Sequence, residues 1–243
     1  MKYLKNLAGL VILLSLCKNA HTQTANFGGW LATFYTIKVN KKVDVIADAQ
    51  FRSGKQVKNI STILLRPAIS FKFNKNVSAA LGYAWNDARR DVGTLSELIP
   101  EHRIWQHVIV RHKILSASSQ HRFRLEQRFL PKVVVRNNQL HSNGYNHAHR
   151  FRYFTRTIIP LKKTKQFTQG PFGALQNEVF LNLGNKSAVN KRVFDQNRLY
   201  GAVGYRLSPR LDLETGYMNQ YMIAANGGII NNHILQLATY LNL

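Results

Sequence analysis

The segment from Gln120 to Phe129, QHRFRLEQRF, alternates between charged and apolar side chains, with Gln127 as its only break. Because successive side chains of a β-strand point to opposite faces, the segment predicts a strand with one ionic face and one apolar face. The ionic face would carry Arg122, Arg124, Glu126 and Arg128, and the apolar face Phe123, Leu125 and Phe129. A chain that repeats this pattern is restricted to an all-β fold.

The same alternation recurs and predicts further strands. The most regular segments are 42–52, 77–85, 101–114, 149–159 and 210–221, and the less regular candidates are 29–39, 60–73, 174–183, 196–207 and 231–243. These runs are about ten residues long, whereas strands of soluble proteins average about five or six residues and tilted membrane strands need about nine to eleven. The lengths favour a membrane barrel over a sandwich, with the apolar face towards lipid and the polar face inside.

The connections between these segments also alternate in length. Tight connections are 72–76, 116–120 and 207–210, and longer ones are 86–100, 130–148, 184–195 and 223–230. Short periplasmic turns and long external loops are typical of outer-membrane barrels, which have even strand numbers, whereas the segments number eleven with 29–39 included. We therefore expect a single antiparallel up-and-down transmembrane β-barrel of 10–12 strands, with twelve favoured, that ends in the periplasm.

The first residues have the pattern of a secretion signal. Lys2 and Lys5 precede the apolar run 7–16, which is too short for a transmembrane helix of roughly twenty residues. We expect residues 1–23 to be a cleaved signal peptide and residues 24–243 to form the barrel. The single cysteine, Cys17, would leave with the signal, so the mature chain would have no disulfide and no thiolate metal site.

The formal net charge is +23, which in a cytosolic protein would suggest nucleic acid. The export signal and the placement of arginines on strand faces argue against that partner. In an outer membrane we expect the protein to meet outer-membrane lipid, with lipopolysaccharide phosphate at the outer rim as one candidate, or an anion in the lumen. The other expected partner is the barrel-assembly machinery, and the sequence leaves the oligomeric state open.

Four glutamates lie within arginine-rich strands. Paired carboxylates can perform acid–base chemistry, but a carboxylate flanked by arginines stays ionised and suits an ion pair. We expect a lumen-facing ionic network, and an interior that is narrow or closed. Its members are Glu101, Arg103, Arg111, Arg122, Arg124, Glu126, Arg128, Arg150, Arg152, Arg156, Glu178, Arg198, Asp212 and Glu214.

A hydrolase-like cluster occurs at His141-Ser142-Asn143-Gly144. Outer-membrane phospholipase A has a similar cluster, in which one residue separates the histidine from the serine, so that base and nucleophile share a face. Here the two residues are adjacent and point apart in an extended chain, and Asn143-Gly144 predicts a turn at a loop tip. We expect no catalytic residue. His147 and His149 could share a strand face, but two ligands do not make a zinc site, and no metal or other cofactor is expected.

Seven stretches together carry a family resemblance: 101–105, 122–129, 149–153, 177–182, 194–200, 216–221 and 232–236. They resemble an uncharacterised family of Gram-negative outer-membrane β-barrel proteins that is classed as a domain of unknown function. The resemblance covers most of residues 25–243. It implies the fold and the location, and it brings no activity.

Three functions remain open. The favoured one is a structural or anion-binding barrel with a narrow, arginine-rich lumen and no enzyme activity. The second is a narrow, anion-preferring channel, which would conduct across a planar bilayer. The third is an outer-membrane lipid hydrolase near the external loops, in which Ser142 would be required for lipid turnover.

Overall fold

The computed structural model describes residues 24–54, 56–162 and 166–243, and every regular element in them is a strand. The strands are β1 (Thr24–Lys38), β2 (Val43–Gly54), β3 (Asn59–Leu65), β4 (Ala68–Lys72), β5 (Val77–Val92), β6 (Leu95–Ile114), β7 (Ala117–Arg136), β8 (Gln139–Pro160), β9 (Gly170–Leu183), β10 (Phe194–Ser208), β11 (Leu211–Ile223) and β12 (Ile229–Asn242). No helix among the described residues is long and apolar enough to cross a membrane. The expected signal peptide, residues 1–23, and Cys17 lie outside the described residues.

The strands close into a barrel because β1 pairs both with β2 and with β12. β3 and β4 share one position in the wall, since each pairs with β2 on one side and with β5 on the other. Pro67 separates them, because proline has no N–H to donate to the ladder. The twelve strands therefore occupy eleven positions around the barrel.

The eleven positions explain the one parallel pairing in the barrel, which joins β1 to β12. In an up-and-down barrel with an odd number of positions, the first and last strands run in the same direction. The all-β barrel and the count of twelve strands are confirmed. The expectation of purely antiparallel pairing is wrong at this seam. The segment 29–39, which made the predicted number of strands odd, lies almost wholly within β1. This strand pairs with a neighbour on each side and is a full member of the wall.

The connections lie at two ends of the barrel. One end, which we call the turn end, carries the links between β1 and β2, β4 and β5, β6 and β7, β8 and β9, and β10 and β11, and β12 ends there. The opposite end, the hairpin end, carries the other links, except the one between β3 and β4, which lies within the wall. At the hairpin end the predicted loops 86–100 and 130–148 are mostly strand, because β5 pairs with β6 as far as Val92 and β7 pairs with β8 as far as Arg136.

The turn between β7 and β8 lies at Asn137–Asn138, whose φ angles of 50° and 60° are positive. The predicted turn at Asn143-Gly144 is wrong. These residues lie within β8, where the register with β7 shifts between Pro131 and Val133. The extra residue of β8 at this shift forms a β-bulge. Gly144 has a φ of 81° there, a positive value that glycine adopts more easily than other residues.

The burial of the side chains follows the sequence alternation. In β7, Arg124 and Glu126 are buried, whereas Phe123 and Leu125 are exposed. Large apolar side chains are exposed around the whole wall, among them Leu31, Phe51, Ile69, Leu81, Ile104, Leu175, Leu199, Leu213 and Leu237. The barrel therefore keeps charges inside and apolar groups outside, which reverses the usual arrangement of a protein in water.

Polar side chains on the outer face of the strands form pairs with one another. Amide pairs join Gln106 to Gln127 at 3.2 Å, Asn177 to Asn197 at 3.2 Å and Asn219 to Asn231 at 2.7 Å. Tyrosine hydroxyls form hydrogen bonds with histidine Nδ1 atoms in the pairs Tyr83–His102, Tyr153–His121 and Tyr217–His233. Gln127, the one break in the alternation of β7, is thus matched by an amide on the neighbouring strand.

Glycines on the inner face make room for large aromatic side chains. A Cβ atom at Gly82 would overlap the ring of Trp105, its cross-strand partner, and one at Gly204 would overlap the ring of Phe172. Both aromatic side chains are almost fully buried. These contacts fill parts of the interior and narrow it.

We expect Gly82→Ala to lower the free energy of unfolding by about 1–3 kcal/mol, because the new methyl group forces Trp105 out of its place. Urea unfolding of the refolded barrel would measure the loss. Gly173→Ala is the control, since its Cβ would lie 4.0 Å from the nearest atom, the carbonyl oxygen of Ala202. Equal stability of the two variants would contradict the packing of Trp105 on Gly82.

Candidate functional site

The inner face of β6 to β9 carries rows of charged side chains that meet across the strand pairs. Glu126 of β7 lies directly opposite Arg150 of β8, and Arg103 of β6 lies opposite Arg128 of β7. Because alternate residues share a face, up to four charges of one strand point inward together, as in β7, whereas β9 contributes Glu178 alone. The ladder therefore forms a two-dimensional array of ions inside the barrel.

Two glutamates are the centres of this array. Glu126 contacts Arg150 at 2.7 Å and Arg152 at 2.5 Å. Glu178 contacts Arg152 at 2.6 Å and Arg122 at 2.8 Å. Arg152 thus bridges both carboxylates, and each carboxylate is held by two guanidinium groups.

The other predicted carboxylates have similar partners. Glu101 accepts hydrogen bonds from Arg103 and Arg128, each at 2.7 Å. Glu214 pairs with Arg156 at 2.5 Å. Asp212 contacts Arg206 at 2.8 Å, an arginine outside the predicted network. Buried charges need partners of this kind, because an ion that leaves water unpaired is costly.

Three further ion pairs involve residues outside the predicted network. Asp48 pairs with Arg66 at 2.6 Å, Asp44 pairs with Lys72 at 2.6 Å, and Asp195 adds a second partner to Arg150 at 3.0 Å. Asp44 and Asp48 alternate with apolar residues in the segment 42–52, which was the signal for an inward orientation. Arg66 carried no such signal, because it stands beside Pro67 at the break between β3 and β4.

Three arginines of the predicted network lack a close carboxylate among the described residues: Arg111, Arg124 and Arg198, of which Arg198 is described below with the cavities. Arg111 is exposed near the turn end and donates to the hydroxyl of Ser78 at 3.0 Å. Arg124 is buried, stacks 4.0 Å above the ring of Trp105 and contacts His107 Nδ1 at 3.2 Å. Its Nη1 atom lies 3.9 Å from Glu126, and neither Nη1 nor Nε has a hydrogen-bond partner among the described residues.

Two cavities lie in the interior that the described residues enclose. The cavity towards the turn end has a volume of about 350 Å³ and is lined by eight arginines but by only two carboxylates, those of Glu178 and Asp212. The arginines are Arg52, Arg66, Arg111, Arg122, Arg152, Arg156, Arg198 and Arg206. The cavity towards the hairpin end has a volume of about 470 Å³, and its charged lining residues are Arg52, Arg103, Arg198 and Glu101.

The two cavities share Trp30, Arg52 and Arg198, which we call the Arg–Trp–Arg cluster. The guanidinium carbon of Arg52 lies 4.0 Å from the centroid of the Trp30 ring, and that of Arg198 lies 5.0 Å from it, so both make cation–π contacts. Arg52 donates to the side-chain oxygen of Gln50 and makes no ion pair among the described residues. Arg198 reaches Glu178 only at 3.9 Å.

The hydrolase-like residues are not brought together. His141 and Ser142 are adjacent in the extended strand β8 and therefore point to opposite faces, and the Ser142 hydroxyl donates to the carbonyl oxygen of Gly144 at 3.4 Å. His147 and His149 are exposed on β8, and His147 packs edge-on against Phe129. The described part of the chain contains no group of three His, Cys, Asp or Glu side chains placed to hold a metal ion.

Comparison with known proteins identifies a relative and a family model that cover most of this chain. An uncharacterized protein of Methylorubrum extorquens is 27% identical over 198 residues, which cover 80% of this chain and 78% of the relative. A family model matches residues 27–231, most of the barrel from β1 to the start of β12. The chain belongs to this family, which is described as protein of unknown function DUF2490.

Proposed function

We propose that this protein is an outer-membrane barrel whose turn end faces the periplasm. The reversed arrangement of charges and apolar groups supports the proposal, since lipid-facing positions of such barrels are apolar and the interior is polar. The paired polar side chains on the outer face support it too. In hydrocarbon, which offers no water, each amide or hydroxyl must find a partner in the protein.

The location is tested by fractionation and by gel migration. The mature protein should sediment with outer membranes and should migrate differently before and after boiling in detergent, because the closed barrel resists unfolding in the unboiled sample. Recovery of the protein from the periplasm without detergent would contradict the proposal.

We further propose that the interior binds a small anionic ligand. The observation that carries this is the surplus of cations in the cavity at the turn end, which is lined by eight arginines. Five of them are paired with carboxylates, whereas Arg52, Arg111 and Arg198 have no close carboxylate among the described residues. Arg52 and Arg198 supply donors that the protein itself leaves without a close carboxylate, and they stand at the inner wall of that cavity. An anion held there would gain charge-assisted hydrogen bonds away from bulk water.

Binding of inorganic phosphate to the refolded barrel, measured by calorimetry at low ionic strength, tests this proposal. Arg198→Gln and Arg52→Gln should each weaken binding at least tenfold, since a hydrogen bond to a charged group is worth about 1.5–3 kcal/mol. Arg136→Gln, at the exposed tip of the hairpin between β7 and β8, should bind as the wild type does. Equal affinities in all four proteins, or no binding, would refute an interior site for phosphate.

A narrow anion channel is the second candidate. It is favoured by the two cavities, which adjoin at the Arg–Trp–Arg cluster and together run along much of the interior. Planar-bilayer recording separates the two functions. A steady anion-selective current would support the channel, whereas a silent bilayer with phosphate binding intact would support the binding barrel.

We propose no enzymatic role for the barrel, because the hydrolase-like pair singled out in the sequence, His141 and Ser142, points apart in β8. Among partners, we propose the barrel-assembly machinery during insertion. We also propose that lipopolysaccharide phosphate meets the outer rim of the wall, below the hairpin of β7 and β8 that projects beyond it.

A further inference from the structure

Every connection at the turn end carries an exposed cation. These cations, which we call the basic ring, are Lys41 between β1 and β2, Lys75 between β4 and β5, Lys113 beside the turn between β6 and β7, Lys162 after β8, and Arg210 between β10 and β11. They are therefore distributed around the rim of the barrel and do not form a patch on one side of it.

The basic ring faces no exposed acidic side chain among the described residues of this end. Asp44 and Asp212 lie near it, but both are buried, and they are paired with Lys72 and Arg206. At the hairpin end, by contrast, cations are interspersed with the acidic residues Asp87, Asp91, Glu97 and Asp195. The turn end is thus the more uniformly positive end of the barrel.

Aromatic side chains lie on the outer face next to the basic ring. Tyr35 of β1, Phe71 of β4, Phe73 just after β4, and Tyr205 of β10 are all exposed, and Phe71 packs edge-on against Phe73 at 5.3 Å. Aromatic residues of this kind are typical of the level where lipid headgroups meet the hydrocarbon. The cations of the basic ring lie farther from the middle of the wall than these aromatic side chains.

We propose that the basic ring binds the phosphate groups of anionic phospholipids in the leaflet at the turn end. This inference rests on the proposed membrane location. The order of apolar wall, aromatic residues and cations matches the order of hydrocarbon, interface and headgroup. A peptidoglycan strand or an acidic protein would need cations on one side only, whereas lipids surround a barrel and contact every connection.

The test uses two fivefold variants of the full mature chain with equal charge changes. The ring variant carries Lys41→Gln, Lys75→Gln, Lys113→Gln, Lys162→Gln and Arg210→Gln. The control carries Lys58→Gln, Lys132→Gln, Arg136→Gln, Lys191→Gln and Arg192→Gln at the hairpin end, all of which replace exposed side chains. Both are refolded into phosphatidylcholine vesicles, and spin-labelled phosphatidylglycerol and phosphatidylcholine report which lipid contacts the barrel.

We expect the wild type and the control to prefer phosphatidylglycerol about fivefold, the factor that one cation near an anionic surface supplies. The ratio of bound phosphatidylglycerol to bound phosphatidylcholine should fall close to one in the ring variant. It should also fall close to one in the wild type at high salt, which screens the charges. A double variant, Lys75→Gln with Arg210→Gln, should show an intermediate preference, which guards against a folding defect in the fivefold variant.

The outcomes separate this inference from the proposed location. If none of the proteins inserts into vesicles, the membrane location itself falls and the lipid site falls with it. If all insert but the ring variant prefers phosphatidylglycerol as strongly as the wild type, only the lipid site is overturned. Co-sedimentation with peptidoglycan sacculi that is lost in the ring variant, without any lipid preference in the wild type, would assign the ring to that polymer.

Discussion

Glu126→Gln should lower the free energy of unfolding by about 3–5 kcal/mol, the usual cost of removing one partner from a buried ion pair. The glutamine keeps the shape of the side chain but removes the charge that Arg150 and Arg152 share at 2.7 and 2.5 Å. Both guanidinium groups would remain buried beside other arginines, with less negative charge nearby to balance their positive charge. Chemical denaturation of the refolded barrel, followed by gel migration, would measure the loss.

Arg124→Met provides the matched control two residues away on the same face. Arg124 has no carboxylate closer than 3.9 Å, and two of its nitrogens have no hydrogen-bond partner among the described residues. Its replacement by an apolar chain of similar length should therefore change stability by less than about 1.5 kcal/mol. A loss as large as that of Glu126→Gln would show that Arg124 is an essential part of the ionic array.

Leu125→Arg should prevent or strongly slow insertion, because a charge on the lipid face at the middle of a bilayer costs about 2–4 kcal/mol. Leu125 is exposed on β7 between the inward side chains of Arg124 and Glu126. The yield of the heat-modifiable form after refolding into vesicles would measure the effect.

Val135→Arg is the control for this substitution. Val135 lies on the same strand and the same face as Leu125, but it is close to the hairpin turn at Asn137–Asn138 and beyond the proposed membrane. The refolding yield of Val135→Arg should equal that of the wild type. If Leu125→Arg refolds equally well, the outer face of β7 does not contact lipid.

The alternation of charged and apolar residues was sufficient to predict most of the wall. In the segment 120–129 it gave the strand and its two faces, because a period of two has one structural meaning in a strand. It could not predict that the hairpin between β7 and β8 continues to Arg136, because the pattern weakens where both faces of the hairpin meet water. It also misled at Asn143-Gly144, since the same dipeptide suits a bulge as well as a turn.

The partners within the interior were beyond the reach of sequence patterns. Alternation shows that Arg152 points inward, but the register of β7, β8 and β9 decides that it lies between Glu126 and Glu178. The Arg–Trp–Arg cluster depends on a longer-range event still, because Trp30 belongs to β1 and Arg198 to β10. Closure of the barrel brings the two strands near each other, and the sequence of neither strand indicates this contact.

The parallel seam has a consequence for how the chain folds. All the other strand pairs join strands that are adjacent in sequence or, for β2 with β4 and β3 with β5, separated by a single strand. The seam instead joins residues such as Asn26 and Asn232, which are 206 positions apart. Joining such distant segments costs the most chain entropy, so the seam should be the last part of the ladder to form. Until then the protein is an open sheet with two unpaired edges, in β1 and β12, and it is exposed to aggregation through them.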